Sequence, residues 1–152
     1  MNALGLIESH AWRTDAMSLI VDPRHRFAAA EHGIQGVALR DEVLIVREPG
    51  SGSREVVAQA LAAEGIEPRR TLEIGSTEAI KQAVAAGLGV GIVSSATISD
   101  QVTLGRLKVV PMRDLQIERT LWQLKVSGRI EIPAATAFER MIWQDKAVAE
   151  MA

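Results

Sequence analysis

The chain has 152 residues, 47% of them apolar and 24% charged, with a net charge of −2; that is one domain's worth of sequence with enough apolar content to bury a core, which excludes a disordered chain. The absence of cysteine excludes a disulfide scaffold, a thiolate metal site and a cysteine nucleophile, and a pI near 5.9 argues against the chain gripping nucleic acid by itself. No apolar run is long enough to span a membrane, and no basic segment precedes the early apolar stretch that Glu8 and His10 interrupt, so neither a membrane helix nor a signal peptide is expected and a cytoplasmic location fits.

In chain order, Leu4, Leu6 and Ile7 predict a short strand over residues 4–8. Met17 to Val21 predicts a second one, stopped by Asp22-Pro23 because proline cannot continue a central ladder. Arg24 to Gly36 is polar and alanine-rich and reads as a loop with a short helix. Val43 to Val46 has the pattern of a short buried strand, and Pro49-Gly50-Ser51-Gly52-Ser53 is a loop. A helix follows from Ser51 or Ser53: Val57, Ala60, Leu61 and Glu64 fall at helical spacing, Val56 widens the apolar face, and Gly65 ends it. Thr71 to Ile74 predicts a strand. Ser76 is placed to cap the next helix, with Glu78 in its first turn and Ile80, Ala83, Val84 and Gly87 on its buried face. Val90 to Val93 predicts a buried strand.

The order from Val43 to Ser94 is therefore β-α-β-α-β with short connections, an α/β pattern that implies a parallel sheet with right-handed crossovers. Beyond it come a polar helical turn from Ser95 to Gln101 and strands near residues 107–111 and 120–126. A final helix has Pro133 in its first turn and an apolar stripe of Phe138, Met141 and Ile142. The first strand and this last helix have no partners inside the middle unit and look like parts of a second one.

Ligands of parallel α/β units bind beyond the carboxyl ends of the strands. Two loops must emerge there, Glu48 to Arg54 and Gly75 to Glu78, and each opens a helix. A helix N-terminus offers free N–H groups and partial positive charge, and the serine and threonine hydroxyls can donate or accept, so the two ends facing one crevice would cradle a carboxylate, sulfate or phosphate. Capping alone would also explain Ser51 and Ser76 and is the plainer reading of the spacing, and the two roles are compatible. Arg47 and Arg54 flank the first loop and either hold an anion or sit at the surface.

Enzyme signatures are absent: there is no phosphate-binding Gly-x-x-x-x-Gly-Lys-Ser/Thr, no Gly-x-Ser-x-Gly elbow and no Ser-x-x-Lys pair. The glycines of Gly87-Leu88-Gly89-Val90-Gly91 lie between a helix and a strand, the reverse of the dinucleotide fingerprint, and read as a tight, closely packed turn. His10, His25 and His32 lack metal spacing, and Trp12, Trp122 and Trp143 are too scattered for a stacking platform, which leaves core or interface anchoring. Arg106, Lys108 and Arg113 beside Asp114 read as a solvated edge.

Three segments together resemble the effector-binding domain of LysR-type transcriptional regulators. They are Arg47-Glu48-Pro49-Gly50-Ser51-Gly52-Ser53-Arg54, Leu72-Glu73-Ile74-Gly75-Ser76-Thr77-Glu78-Ala79-Ile80-Lys81, and Gly87-Leu88-Gly89-Val90-Gly91-Ile92-Val93-Ser94. Ser18 to Ala28 resembles the family's passage into its second subdomain, and Gly128-Arg129, Pro133-Ala134-Ala135 and Phe138 resemble its C-terminal return. Ser53 and Phe27 depart from the family's usual threonine and leucine.

The resemblance implies a periplasmic-binding-protein-like fold of two α/β subdomains joined by two crossover strands. Residues 1–20 would be a remnant of subdomain I with its crossover, 21–120 subdomain II, and 121–152 the return crossover and the C-terminal helix of subdomain I. It implies a ligand-sensing domain without catalysis or cofactor. A small, anionic effector would sit in the inter-subdomain cleft, lined by Ser51, Gly52, Ser53, Gly75, Ser76 and Thr77. DNA would be reached only through a helix-turn-helix that this chain lacks, in a homo-oligomer. The chain then corresponds to the C-terminal half of a regulator, with part of the facing wall missing, so that it would bind effector weakly or not at all and its exposed apolar surface would favour self-association. A solute-binding protein of a transport system would share the fold but needs a signal peptide. An enzyme on a doubly wound sheet would need an acid–base or nucleophile constellation, which the sequence lacks.

Overall fold

The structure, a computed structural model, describes residues 7–128 and 130–150, with side chains described as far as residue 145. The chain forms two compact units. The larger is Asp15–Arg119, and the described parts of the other are residues 7–14 and 120–150.

The larger unit is built on a sheet of order β3-β2-β4-β1-β5, formed by β1 (Ile7–Val21), β2 (Val43–Val46), β3 (Arg70–Glu73), β4 (Val90–Ser94) and β5 (Lys108–Val110). β2 runs parallel to β3 and β4, in the registers Ile45 to Leu72 and Leu44 to Val90. β1 is antiparallel to β4 and β5, with Leu19 opposite Ile92 on one side and Val110 on the other. The expected β-α-β-α-β run is completed by α1 (Gly52–Ala63) and α2 (Thr77–Ala85).

The period of two along each strand divides the core between the faces of the sheet. Leu19, Val21, Leu44 and Ile92 pack with Val57 and Leu61 of α1, whereas Ile20, Ile45 and Val93 pack with Ile80, Ala83 and Val84 of α2. A sheet covered on both faces explains the uninterrupted apolar runs of β2 and β4.

Both helices end on glycine. Past α1, Gly65 takes φ +66°, which lets its N–H reach the Ala62 carbonyl at 3.0 Å and the Ile66 N–H reach that of Leu61 at 2.9 Å. This turn drops Ile66 into the core beside Leu61. The glycines after α2 do the packing work expected of them: Gly87 takes φ +79°, and a Cβ on Gly89 would lie 2.4 Å from the Val43 carbonyl oxygen.

The remaining elements are α3 (Ser99–Thr103), β6 (Ile117–Val126), which pairs with β1, and α4 (Pro133–Glu150). One expectation changes, at the chain's first strand. The two separate apolar segments before Pro23 are one 15-residue strand, β1; Leu4 and Leu6 of the expected first segment, and Arg129 of the C-terminal return, lie outside the described residues. The stretch between them contains no glycine or proline to break extended backbone, and because its side chains are mostly exposed it carries no hydrophobic alternation to announce a strand. The loop before β2 holds two short 3-10 turns, Arg26–Ala29 and Gly36–Asp41, the first opened by His25 accepting from the Phe27 N–H through Nδ1 at 3.1 Å.

In the smaller unit, Trp12 Nε1 donates to the Ile142 carbonyl and Trp143 Nε1 to Gln123 Oε1, both at 2.9 Å. Trp122 is exposed, so the core role open to it from sequence does not apply. The stripe on α4 is likewise uncovered at Phe138 and Met141, each 64% exposed.

Candidate functional site

The carboxyl end of β2 runs into Arg47, Glu48 and the glycine-rich turn that starts α1. The carboxyl end of β3 runs into the turn that starts α2. Ser76 is a working cap: its backbone is extended and its Oγ accepts from the Ala79 N–H at 3.2 Å. Ser51 occupies the corresponding position of α1, but its side chain makes no capping hydrogen bond, so of the two serines only Ser76 caps with its hydroxyl.

A cavity of about 550 Å³ opens beside these helix starts, within the range of small-molecule sites. It lies wholly within the larger unit. Ser53, Thr77, Ser94 and Thr97 bring hydroxyls to it, and Arg47, Arg54 and Arg119 bring guanidinium groups. Its inner wall is apolar, with Val57, Leu61 and Ile66. Of the six residues expected to line the effector cleft, Ser53 and Thr77 line this one cavity, together with Arg47 and Arg54 that flank the first loop. Ser51, Gly52, Gly75 and Ser76 lie in the flanking turns and do not line it.

Each arginine is held by a carboxylate. Arg47 grips Glu48 with two nitrogens, Nε to Oε2 at 2.8 Å and Nη2 to Oε1 at 2.9 Å, and extends Nη1 to Thr77 Oγ1 at 3.2 Å. These hydrogen bonds from Arg47 hold the Glu48 carboxyl down at about 2. Arg54 donates through Nη1 to the Arg47 carbonyl at 2.7 Å and to Glu73 Oε2 at 3.0 Å. Arg119 donates through Nε to Asp15 Oδ2 at 2.8 Å and through Nη1 to Ser53 Oγ at 3.1 Å. Asp15 is buried, and its other oxygen accepts from Ser94 Oγ at 2.7 Å.

Sequence reasoning marked Ser53, Thr77, Arg47 and Arg54 but passed over Arg119, Asp15 and Ser94. A signal was present. Asp15 shares strand parity with Met17 and Leu19, and Arg119 shares it with Ile117, so both charged residues stand at inward positions of their strands. Among the described residues no group of histidine, aspartate and glutamate could hold a metal ion, and no helix is long and apolar enough to cross a membrane.

Comparison with known proteins identifies the family of the chain. The profile of the LysR substrate binding domain matches residues 4–147. The RuBisCO operon transcriptional regulator of Acidithiobacillus ferrooxidans is 33% identical over 120 residues, 79% of this chain and 39% of that regulator. The HTH-type transcriptional regulator CbbR of Rhizobium meliloti (strain 1021) is 38% identical over 122 residues, 76% of this chain and 39% of its own length. The chain thus spans about two fifths of these curated relatives. Among solved structures, the regulatory domain of Synechocystis PCC6803 CcmR in complex with 2-PG superposes with a TM-score of 0.81 at 26% identity, over 92% of this chain and 67% of that one. The effector binding domain of QuiR in complex with shikimate superposes with a TM-score of 0.79 at 18% identity, over 97% of this chain and 68% of that one, and so shares the fold. The chain belongs to the LysR substrate-binding domain family, the effector-binding domains of transcription regulators rather than of enzymes.

Proposed function

We propose that this domain senses a small acid carrying a phosphate or a second carboxylate, held at the polar end of the cavity between the starts of α1 and α2. The observation that carries the reading is the meeting of Ser53, Thr77, Arg47 and Arg119 on one cavity at two helix N-termini. Hydroxyls and guanidinium groups gathered at two helix starts form a donor-rich end, which suits an oxyanion. The 2-PG bound by the Synechocystis neighbour and the relatives named as RuBisCO operon regulators support a short phosphorylated acid as the class. Binding of such an effector would report metabolic state to a DNA-binding part of the regulator outside this chain, by favouring one of two arrangements of the regulatory domain.

The test is a 1H–15N titration of the chain with 2-phosphoglycolate. The reading expects saturable shifts at residues 51–54 and 76–78 with a Kd on the order of 1 mM, and their loss in Ser53→Trp, which fills the polar end. Equal binding by Ser53→Trp, or saturable shifts confined to other parts of the chain, contradicts it.

A further inference from the structure

We propose that Arg119 is the residue that grips the phosphoryl group of the ligand and so sets the site's preference for phosphorylated over plain hydroxy acids. The inference rests on the anion-binding reading above.

The three arginines on the cavity are not equivalent. Arg47 has each of its three nitrogens engaged, two by the Glu48 carboxylate and one by Thr77, so neither of its terminal nitrogens has both N–H groups free. Arg54 spends Nη1 on a backbone carbonyl and on Glu73, and its Nε and Nη2 make no hydrogen bond among the described residues, but the Glu73 side chain is 53% exposed and so is a loose tether. Arg119 meets its carboxylate only through Nε, at 2.8 Å from Asp15 Oδ2. That contact anchors the guanidinium through Nε and leaves the terminal fork, one N–H of Nη1 and both of Nη2, for other acceptors. Nη1 donates to Ser53 Oγ at 3.1 Å, and Nη2 makes no hydrogen bond among the described residues.

The anchor is itself fixed. Asp15 is buried, and both of its oxygens are in use, one by Arg119 and one by Ser94 at the end of β4. The fork is therefore set in place before a ligand arrives, which lowers the cost of ordering it on binding. Ser53 accepts from Arg119, so its own O–H remains available to donate. A phosphoryl group has three terminal oxygens. Two can take the fork and a third the Ser53 hydroxyl, a match that a single hydroxyl-bearing acid cannot reproduce with its carboxylate already seated on the helix N–H groups.

Asp15 and Arg119 are also the two residues at which the chain leaves the larger unit. A phosphoryl group on Arg119 is thus joined, through one side chain, to both strand crossings.

The test compares 2-phosphoglycolate with glycolate on the chain and on Arg119→Gln, following backbone resonances and the Arg119 Nε–Hε resonance. The expected result is a loss of about tenfold or more for 2-phosphoglycolate and about threefold or less for glycolate. In the unsubstituted chain the Nε–Hε resonance should move with the same saturation as the backbone at Ser53. Should Arg119→Gln fail to fold, Asp15→Asn compared with Asp15→Asn/Arg119→Gln tests the same preference, expected in the same direction and smaller because the fork has lost its carboxylate anchor, and neither variant leaves the Asp15 charge buried alone. If 2-phosphoglycolate binds and Ser53→Trp blocks it, yet removing Arg119 leaves the preference unchanged or weakens both acids equally, the assignment of Arg119 is overturned while the anion site stands. If 2-phosphoglycolate gives no saturable shift at the cavity, the anion-binding reading falls, and this inference with it.

Discussion

Arg47 Nη1 donates to Thr77 Oγ1 across 3.2 Å, tying the chain just past β2 to the first residue of α2. The contact is one reason the two helix starts face a single cavity. Thr77→Val keeps the shape and removes the hydroxyl, so it should weaken anion binding by about 0.5–1.5 kcal/mol, the net worth of one hydrogen bond. Titration with 2-phosphoglycolate measures it, and unchanged affinity would remove Thr77 from the site.

The two N-cap serines should behave differently. Ser76 caps α2 through its hydroxyl, so Ser76→Ala should lower stability by about 1 kcal/mol. Ser51 makes no such bond, so Ser51→Ala should cost a few tenths of that or less. Urea unfolding of both variants checks the difference; equal losses would contradict the hydrogen-bond assignment.

The run of glycines after α2 is a packing device here. Gly89→Ala would press a methyl group to within 2.4 Å of the Val43 carbonyl oxygen, which is backbone and cannot step aside cheaply. We expect a loss of about 1–3 kcal/mol. A neutral effect on the unfolding midpoint would show that β2 and β4 do not approach this closely.

The Arg47–Glu48 pair gives the site a pH signature. Its hydrogen bonds lower the Glu48 carboxyl from 4.5 to about 2. A depressed carboxyl contributes stability that is complete above its unfolded value, so the pair's contribution is present above pH 4.5 and is lost as pH falls toward 2. Carboxyl 13C titration should give Glu48 a midpoint near 2 in the unsubstituted chain and return it toward 4.5 in Arg47→Gln. A midpoint near 4.5 in both would mean that the pair does not form in solution.

Much of the larger unit was legible in the sequence because local signals there agree with the fold. Val43 to Val46 is short, apolar and followed by a glycine-rich turn, and it is β2. Gly65 stops α1 where the periodicity stops. The middle of β1 was not legible, since an exposed stretch with polar and apolar residues mixed carries no period for the core to impose. In the candidate site, Ser53 and Thr77 stood out because each follows a strand and opens a helix. Arg119 did not, because its partners are far along the chain: Ser53 is 66 residues away and Asp15 is 104. Only the inward parity of a charged residue on a strand could have marked that pair, and parity by itself names no partner.

The claim that an anion is held by donors from both helix starts and by Arg119 is tested most directly by a crystal structure of the chain with 2-phosphoglycolate. The account predicts the ligand's phosphorus beside Arg119 and Ser53, with the Arg119 fork and the Ser53 hydroxyl as its donors and Thr77 on the opposite side. An ordered ligand bound reproducibly elsewhere, with this cavity empty, would contradict it.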